Sequence, residues 1–385
     1  MNAILTLNSG SSSLKFSLYE QLAEPRMVLN GQVEGLGSKP RLIIRRGSHV
    51  TDRAFDGNTQ SEALSGALQA LSDNFDDLEV TGVGHRIVHG GQKFYKPQPL
   101  TDDVVVELET LNPLAPLHQP HNLAGVVAAR SAFPDALQVG CFDTAFHRNH
   151  PWVNDTFALP REYYDEGVRR YGFHGLSYEY VTGEIAKTHA DLYPKRLVIA
   201  HLGNGASMCA VDQGTSVGST MGFSVLDGLP MGTRCGQIDP GVVLYLIEQK
   251  KMQPHEVTEL LYRRSGLLGL SGISSDMRSL ENSDRPEAAQ AIDYYVFRAR
   301  REIGALSAVM GGIDGLVFCG GIGENSPAVR ARILEKLDYL GLSIDESANG
   351  NNETHIGADA KKPVLVIPTD EERVIARAVF QALQP

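Results

Sequence analysis

The segment Ile4–Leu18 sets two strands around a turn made only of Asn, Ser and Gly: Asn8-Ser9-Gly10-Ser11-Ser12-Ser13. Ile4–Leu7 is an apolar run, and Leu14, Phe16 and Leu18 fall on one face of the strand that leaves the turn. A plain hairpin connection needs about two to five residues and has no use for so many hydroxyls. Such a loop offers backbone N–H groups and short donors arranged around an anion, with Lys15 close by. It reads as a phosphate-holding hairpin, which implies a nucleotide-binding or phosphoryl-transfer protein.

Length and charge narrow the class. At 385 residues the chain is long for one core, so two domains are expected. A formal net charge of −11 argues against a nucleic-acid surface or an anionic membrane, so an anionic substrate must meet a local positive site. Residues 1–20 lack the pattern of a signal peptide, and no apolar run approaches the roughly 18–20 residues of a membrane span. Cys141, Cys209, Cys235 and Cys319 stand far apart without a C-x-x-C pair, which suggests free thiols and a cytoplasmic location.

Periodicity assigns strands through residues 1–50, helices over 60–72 and 121–133, and strands at Val80–Val88 and Ala136–Phe142. Pro-rich Asn112–Pro120 reads as a rigid loop. A second strand-rich region covers 197–211. Helices then open at Asp239-Pro240, near Pro286 (reaching about Met310) and at Ser326-Pro327, the last with Val329, Ile333 and Leu337 on one face. Leu316–Cys319 and Val364–Ile367 read as strands, followed by a final helix from Thr369 to about Leu383. Strand, polar turn, strand occurs at 4–18 and again at 197–211, an echo that two related α/β halves would explain.

Three glycine-rich turns follow apolar strands: Asn8–Ser13, Gly203–Ser207 and Gly320–Asn325. Each alone is an ordinary tight connection, but three at strand ends point to a nucleotide site. None fits G-x-x-x-x-G-K-[ST] or G-x-G-x-x-G, which disfavours P-loop and Rossmann readings. Arginine and histidine occur together in Gly84–Gly91 and again in Arg169–Gly175, and Arg234 lies in another glycine turn. Arginine's fork grips carboxylate or phosphoryl oxygens bidentately, and these arginines sit among glycines and aromatics instead of on a polar helix face. His85/His89, His118/His121 and His147/His150 have metal-like spacings but lack a helical H-E-x-x-H frame, so they read as structural or substrate-contacting. Asp143 ends a predicted strand, where α/β folds place active-site groups, although a capping role explains it equally well. Thr369 and Glu372 form a capping-box pattern, which leaves Glu371 available to a metal or its water.

Together these segments resemble the acetate kinase family of short-chain carboxylate kinases. The resemblance is carried by Asn8–Phe16, Gly84–Gly91, Pro113–His118, Phe142–His147, Arg169–Gly175, His201–Ser207, Met231–Pro240, Ser271–Arg278, Gly320–Ser326 and Thr369–Arg377, which span nearly the whole chain. It implies an α/β fold of two ribonuclease-H-like domains of the actin and sugar-kinase type flanking an active-site cleft. Carried onto this chain, the domains are 1–147 plus 372–385 and 148–371, and the assembly is a homodimer. The implied reaction is reversible phosphoryl transfer between ATP and acetate, giving ADP and acetyl phosphate, with Mg²⁺ or alternatively Mn²⁺. By the same resemblance Asn8 and Glu371 look like metal-site residues, Lys15 a nucleotide-phosphate contact, and Arg86 the substrate-binding arginine. Asp143 resembles the catalytic acid, and His174 and Arg234 the transition-state stabilisers. The nucleotide loops would be His201, Leu202, Gly203, Asn204 and Gly205, then Asp276, Met277 and Arg278, then Gly321, Ile322, Gly323, Glu324 and Asn325. Val88, Leu117, Phe173 and Val225 would wall the acyl pocket.

One implied role changes on physical grounds. A carboxylate acceptor, with a pKa of about 4–5, is already ionised at neutral pH and needs no general base. Asp143 is therefore expected to orient an arginine or a metal-bound water. Cys235, Gln237, Val225 and Asp370 depart from the family's usual residues, and Gln237 bears on how Arg234 is held. The rival readings are a propionate-preferring kinase, a histidine-rich metallohydrolase and a non-catalytic ATP-binding module.

Overall fold

Apolar alternation in the first fifty residues becomes an antiparallel meander of β1 (Asn2–Ser9), β2 (Ser13–Glu20), β3 (Met27–Glu34), β4 (Arg41–Arg46) and β5 (His49–Ala54). The computed structural model describes residues 1–385 apart from Ser11, Asp76, Ala360 and Pro385, so the Ser11 position of the first polar turn lies outside the described residues. The chain forms two compact units, Met1–Arg148 with Asp370–Pro385, and Asn149–Thr369.

In the first unit, β6 (Glu79–Ile87), β7 (Gln98–Pro99) and β8 (Leu137–Phe142) complete an eight-stranded sheet of order β5-β4-β3-β2-β1-β6-β8-β7. β6 runs parallel to both β1 and β8. One face buries Leu5, Leu7, Leu14, Phe16 and Leu18 with Ala63, Leu64, Ala67 and Leu71 of helix Gln60–Asn74. A Thr59–Glu62 capping box fixes where that helix starts. The opposite face carries the C-terminal helix Glu371–Ala382, which lies over β1, β6 and β8. Its close approach depends on two glycines of β6: a Cβ at Gly82 would crowd Val379, and one at Gly84 would overlap Ile375 and Val379. By strand alternation Asn8 follows Ile4 and Thr6, and Arg86 follows Gly82 and Gly84, on this helix-covered face. Lys15 stands opposite Asn8 in the β1–β2 register.

The second unit is built on β9 (Leu197–Leu202), β10 (Ala206–Asp212), β11 (Thr215–Ser219), β12 (Gly315–Cys319) and β13 (Val364–Val366) in the order β11-β10-β9-β12-β13. Helices Gly175–Thr188 and Pro286–Val309 pack on this sheet. The three antiparallel strands followed by two parallel ones repeat the β3-β2-β1-β6-β8 order of the first sheet. The echo in the sequence is thus a repeat of topology, with the β1–β2 and β9–β10 turns in equivalent places.

Four local expectations need correction. Asn112–Pro120 is not wholly loop: Asn112–Leu114 is a 3₁₀ turn and Gln119 begins a helix to Ala132. Pro113 and Pro120 both sit in first turns, where the missing N–H costs no bond. Leu337 is buried but follows the end of helix Pro327–Leu334. Gly320–Asn325 is a short helix and not an open turn. The C-terminal helix is capped by Asp370, whose carboxylate accepts from Arg373 N at 3.0 Å, so the Thr369–Glu372 box does not form. Asp370 also accepts from Tyr19 Oη at 3.4 Å, tying the helix start to β2, while Thr369 bonds Ser177.

The glycine contact yields a stability prediction. Gly84→Ala should push the C-terminal helix away from β6 and cost about 1–3 kcal/mol. A lowered urea midpoint with unchanged slope would show it; an unchanged midpoint would mean the helix is not seated through this contact.

Candidate active site

In the first unit the chemistry gathers at the C-terminal ends of β6 and β8. Asp143 N donates to Ile87 O at 3.0 Å, which sets the aspartate beside the last residue of β6. Arg86 Nε donates to Asp143 Oδ1 at 3.0 Å and Nη2 to Oδ2 at 2.7 Å, a fork-to-fork pair. Its remaining nitrogen, Nη1, lies 3.3 Å from Glu371 Oε2 at the start of the C-terminal helix. The Asp143 side chain is 2% exposed and that of Arg86 24%. Burial works against the Arg86 charge, but Asp143 and Glu371 outweigh it and push the guanidinium up, so it stays protonated. Burial pushes the Asp143 carboxyl up while Arg86 opposes it; with both oxygens accepting, the carboxylate is the form this geometry holds. Burial and the adjacent Glu371 also push Glu372 up.

Val88, two residues after Arg86, is buried with its N–H donating to Asn122 Oδ1 at 3.0 Å, and Leu117 is half-buried. His85 is buried against Gln138 Oε1 at 2.8 Å, and desolvation lowers it to about 4. His89 Nδ1 accepts from Gly91 N at 2.9 Å. These rings are structural parts of the strand end.

In the second unit, His174 precedes helix Gly175–Thr188 with φ 57°, in the left-handed region. Its ring stacks on His201 with centroids 4.3 Å apart. Gly205, in the β9–β10 turn, leaves a space a methyl group would fill: a Cβ there would lie 3.2 Å from His174 Nε2 and 3.9 Å from Arg234 Nη1. The Arg234 loop is held by helix Gly266–Ser271, where Leu267 N donates to Met231 O at 2.8 Å and Leu268 N to Gly232 O at 2.9 Å. Gln237 accepts from the buried Arg298 at 2.8 Å. Phe173 is buried and Val225 half-buried in this unit.

A cavity of about 850 Å³ adjoins these residues, lined by Gly203, Asn204, Asp276–Arg278, Gly321, Ile322 and Asn325. Its volume suits a nucleotide-sized ligand. Gly320, with φ 76°, turns the chain from β12 into the short helix Gly320–Asn325 while passing close under Leu202 O. Glu324 Oε1 accepts from Gly320 N at 2.8 Å and from Thr369 N at 3.1 Å, pinning that turn to the segment that follows β13.

The sequence profile of the Acetokinase family matches residues 3–377. The chain belongs to the acetokinase family. An acetate kinase from Methylocella silvestris is 54% identical, the match covering 99% of this chain and 98% of that protein. One from Nitrobacter hamburgensis is 47% identical, covering 100% and 96%. Among solved structures, Porphyromonas gingivalis acetate kinase superposes with a TM-score of 0.91 at 37% identity over 100% of both chains. A propionate kinase from Francisella tularensis gives 0.92 at 34% identity over 98% of this chain and 99% of that one. The α/β architecture with two sheets is therefore that of the acetokinases, of the actin and sugar-kinase type.

Of the residues singled out in the sequence, Arg86, Asp143 and Glu371 meet in one ion-paired set, and Asn8 and Lys15 pair on β1 and β2. His174, His201, Gly205 and Arg234 form a second set. Leu202 is buried in β9 behind the turn, and Gly323 is buried in the short helix, so both support the cavity without lining it. Sequence reasoning missed Ser275, Glu281 and Ser326, which line the same cavity, and Ser326 Oγ donates to Glu281 Oε1 at 2.5 Å. It also missed Arg330, fully buried, which donates to Gly323 O at 2.8 Å, Glu324 O at 3.1 Å and Asn349 Oδ1 at 2.8 Å. An arginine one step from Val329 and three from Ile333 on an apolar helix face was the available signal.

Gly205→Ala should separate His174 from Arg234 and lower kcat about 10- to 100-fold, with little change in thermal stability. Unchanged kcat would show that the space beside Gly205 is not where the reaction occurs.

Proposed function

We propose that this chain catalyses reversible transfer of the ATP γ-phosphoryl group to acetate, giving acetyl phosphate and ADP, in the cytoplasm and as a homodimer. The observation that carries the reading is the arginine fork held by Asp143 in a member of the acetokinase family. Acetate is ionised at neutral pH, so no base is needed to activate it. Asp143 then serves by fixing the plane of Arg86, which receives the carboxylate beside Val88 and Leu117. ATP binds in the cavity between the Asp276-capped start of helix Met277–Glu281 and the Gly320–Asn325 helix. The resemblance to the family is what assigns Lys15 to the nucleotide phosphates. Phosphoryl transfer through a loose transition state asks for positioning and charge compensation, which Arg234 and His174 supply to the equatorial oxygens.

The metal proposed is Mg²⁺, with Mn²⁺ the alternative. Asn8 and Glu371 offer hard oxygen donors, and a nucleotide-bound Mg²⁺ uses few protein ligands because waters and phosphates complete its shell. When bound, it neutralises charge on the phosphoryl oxygens. Glu371 would have to divide its carboxylate between this task and Arg86.

Propionate is the second substrate considered, because a propionate kinase shares this fold closely. One methylene discriminates by only about 1–3 kcal/mol, and the bulk of Val88 favours the shorter acid. The dimer is supported by helix Pro240–Glu248, none of whose residues is buried although Leu244 and Tyr245 are 55% and 49% exposed. Phe297 adds further uncovered apolar surface, and a second copy is the occupant that fits.

Trapping the acyl phosphate with hydroxylamine tests the reading. ATP- and metal-dependent hydroxamate should form, with kcat/KM falling from acetate to propionate to butyrate, and the enzyme should sediment at twice the 41.8 kDa chain mass. No hydroxamate with any of these acids would refute the function; a propionate preference would correct the substrate.

A further inference from the structure

His174 is held by more than its stacking on His201. Ser207 and His201 are register partners on β10 and β9, so their side chains share one face of the sheet. His174 lies over that face, and its Nδ1 is 2.8 Å from Ser207 Oγ. Ser207 Oγ is in turn 2.5 Å from Tyr178 Oη, one helical turn beyond His174. Ser207 and Tyr178 are both fully buried. Stacking fixes the plane of the imidazole, and the serine contact fixes which edge faces the sheet. The other edge, Nε2, is turned toward the space beside Gly205 and Arg234.

Resting on the phosphoryl-transfer reading above, we propose that Ser207 and Tyr178 are positioning residues that lock His174 in the tautomer with its proton on Nε2, aimed at the transferring phosphoryl group. The direction of the chain follows from acidity. The phenol is the stronger acid of the two hydroxyls, so Tyr178 O–H donates to Ser207 Oγ. Burial pushes the Tyr178 hydroxyl well up from its ordinary range, so it keeps the proton it donates. Ser207 has one hydrogen left, and Nδ1 of His174 accepts it. With Nδ1 occupied as an acceptor, the ring nitrogen available to donate is Nε2. Arg234 lies on the Nε2 side of the ring, and His201 stacks on its face. The sequence shows no motif for this relay: Ser207 reads as the last residue of a glycine turn.

Two-bond proton–nitrogen correlations on histidine-labelled enzyme test the proposal, with His174→Asn used to assign the signal. Wild type should show the Nε2–H tautomer. Ser207→Ala should give a tautomer mixture and lower kcat about 10- to 100-fold, with KM for ATP and acetate changed less than about threefold. Tyr178→Phe should shift the tautomer balance in the same direction with a smaller loss. An Nδ1–H wild type would overturn the proposal. So would a Ser207→Ala enzyme that loses kcat while His174 stays Nε2–H, since serine would then act only by packing. The tautomer is read without turnover, so failure of the wild type to phosphorylate any carboxylate would count against the function and not against the relay.

Discussion

The ion pair between Arg86 and Asp143 is the constraint around which the first unit is organised. A guanidinium this enclosed needs a carboxylate partner, and Asp143 reaches it because β6 and β8 run parallel and end level with each other. The C-terminal helix then brings Glu371 to the third nitrogen of the same fork. That helix can approach only because β6 carries Gly82 and Gly84 where it crosses. Two glycines, a helix cap at Asp370 and a strand register thus converge on the orientation of one arginine. Losing one member of such a set leaves a buried charge without its partner, which costs more than the contact itself contributes.

The second unit holds its histidine by packing and hydrogen bonding. His174 sits in a left-handed backbone conformation, with its ring stacked on His201 and its Nδ1 beside the Ser207 hydroxyl, which in turn meets Tyr178. Both units present their chemistry from corresponding places: a hairpin turn after the first strand of a sheet, and the ends of the parallel strands beside it. The repeated strand order explains why the glycine-rich turns recur in the sequence at such long intervals.

Much of this was legible without coordinates. Strands with alternating Leu14, Phe16 and Leu18, and helices opened by Asp239-Pro240 or Ser326-Pro327, carry local signals that tertiary packing did not override. Asp143 and Arg86 stood out because each occupies a strand end with unusual neighbours. The illegible parts depend on contacts distant in sequence. Whether Thr369 or Asp370 caps the last helix is decided by Tyr19 and Ser177, far away in the chain. Arg330 looks like a misplaced charge until the carbonyls of Gly323 and Glu324 are seen to surround it. Ser207 and Tyr178 are common residue types whose partnership arises only when a helix lies across a sheet.

In the proposed function Asp143 acts through Arg86 and not as a base. A double-mutant cycle on kcat/KM for acetate, using Arg86→Lys, Asp143→Asn and the pair, measures it directly. Each single change should cost nearly as much as both together, giving a coupling of about 1.5–3 kcal/mol. Fully additive losses would show that Asp143 contributes by a separate route and not through Arg86.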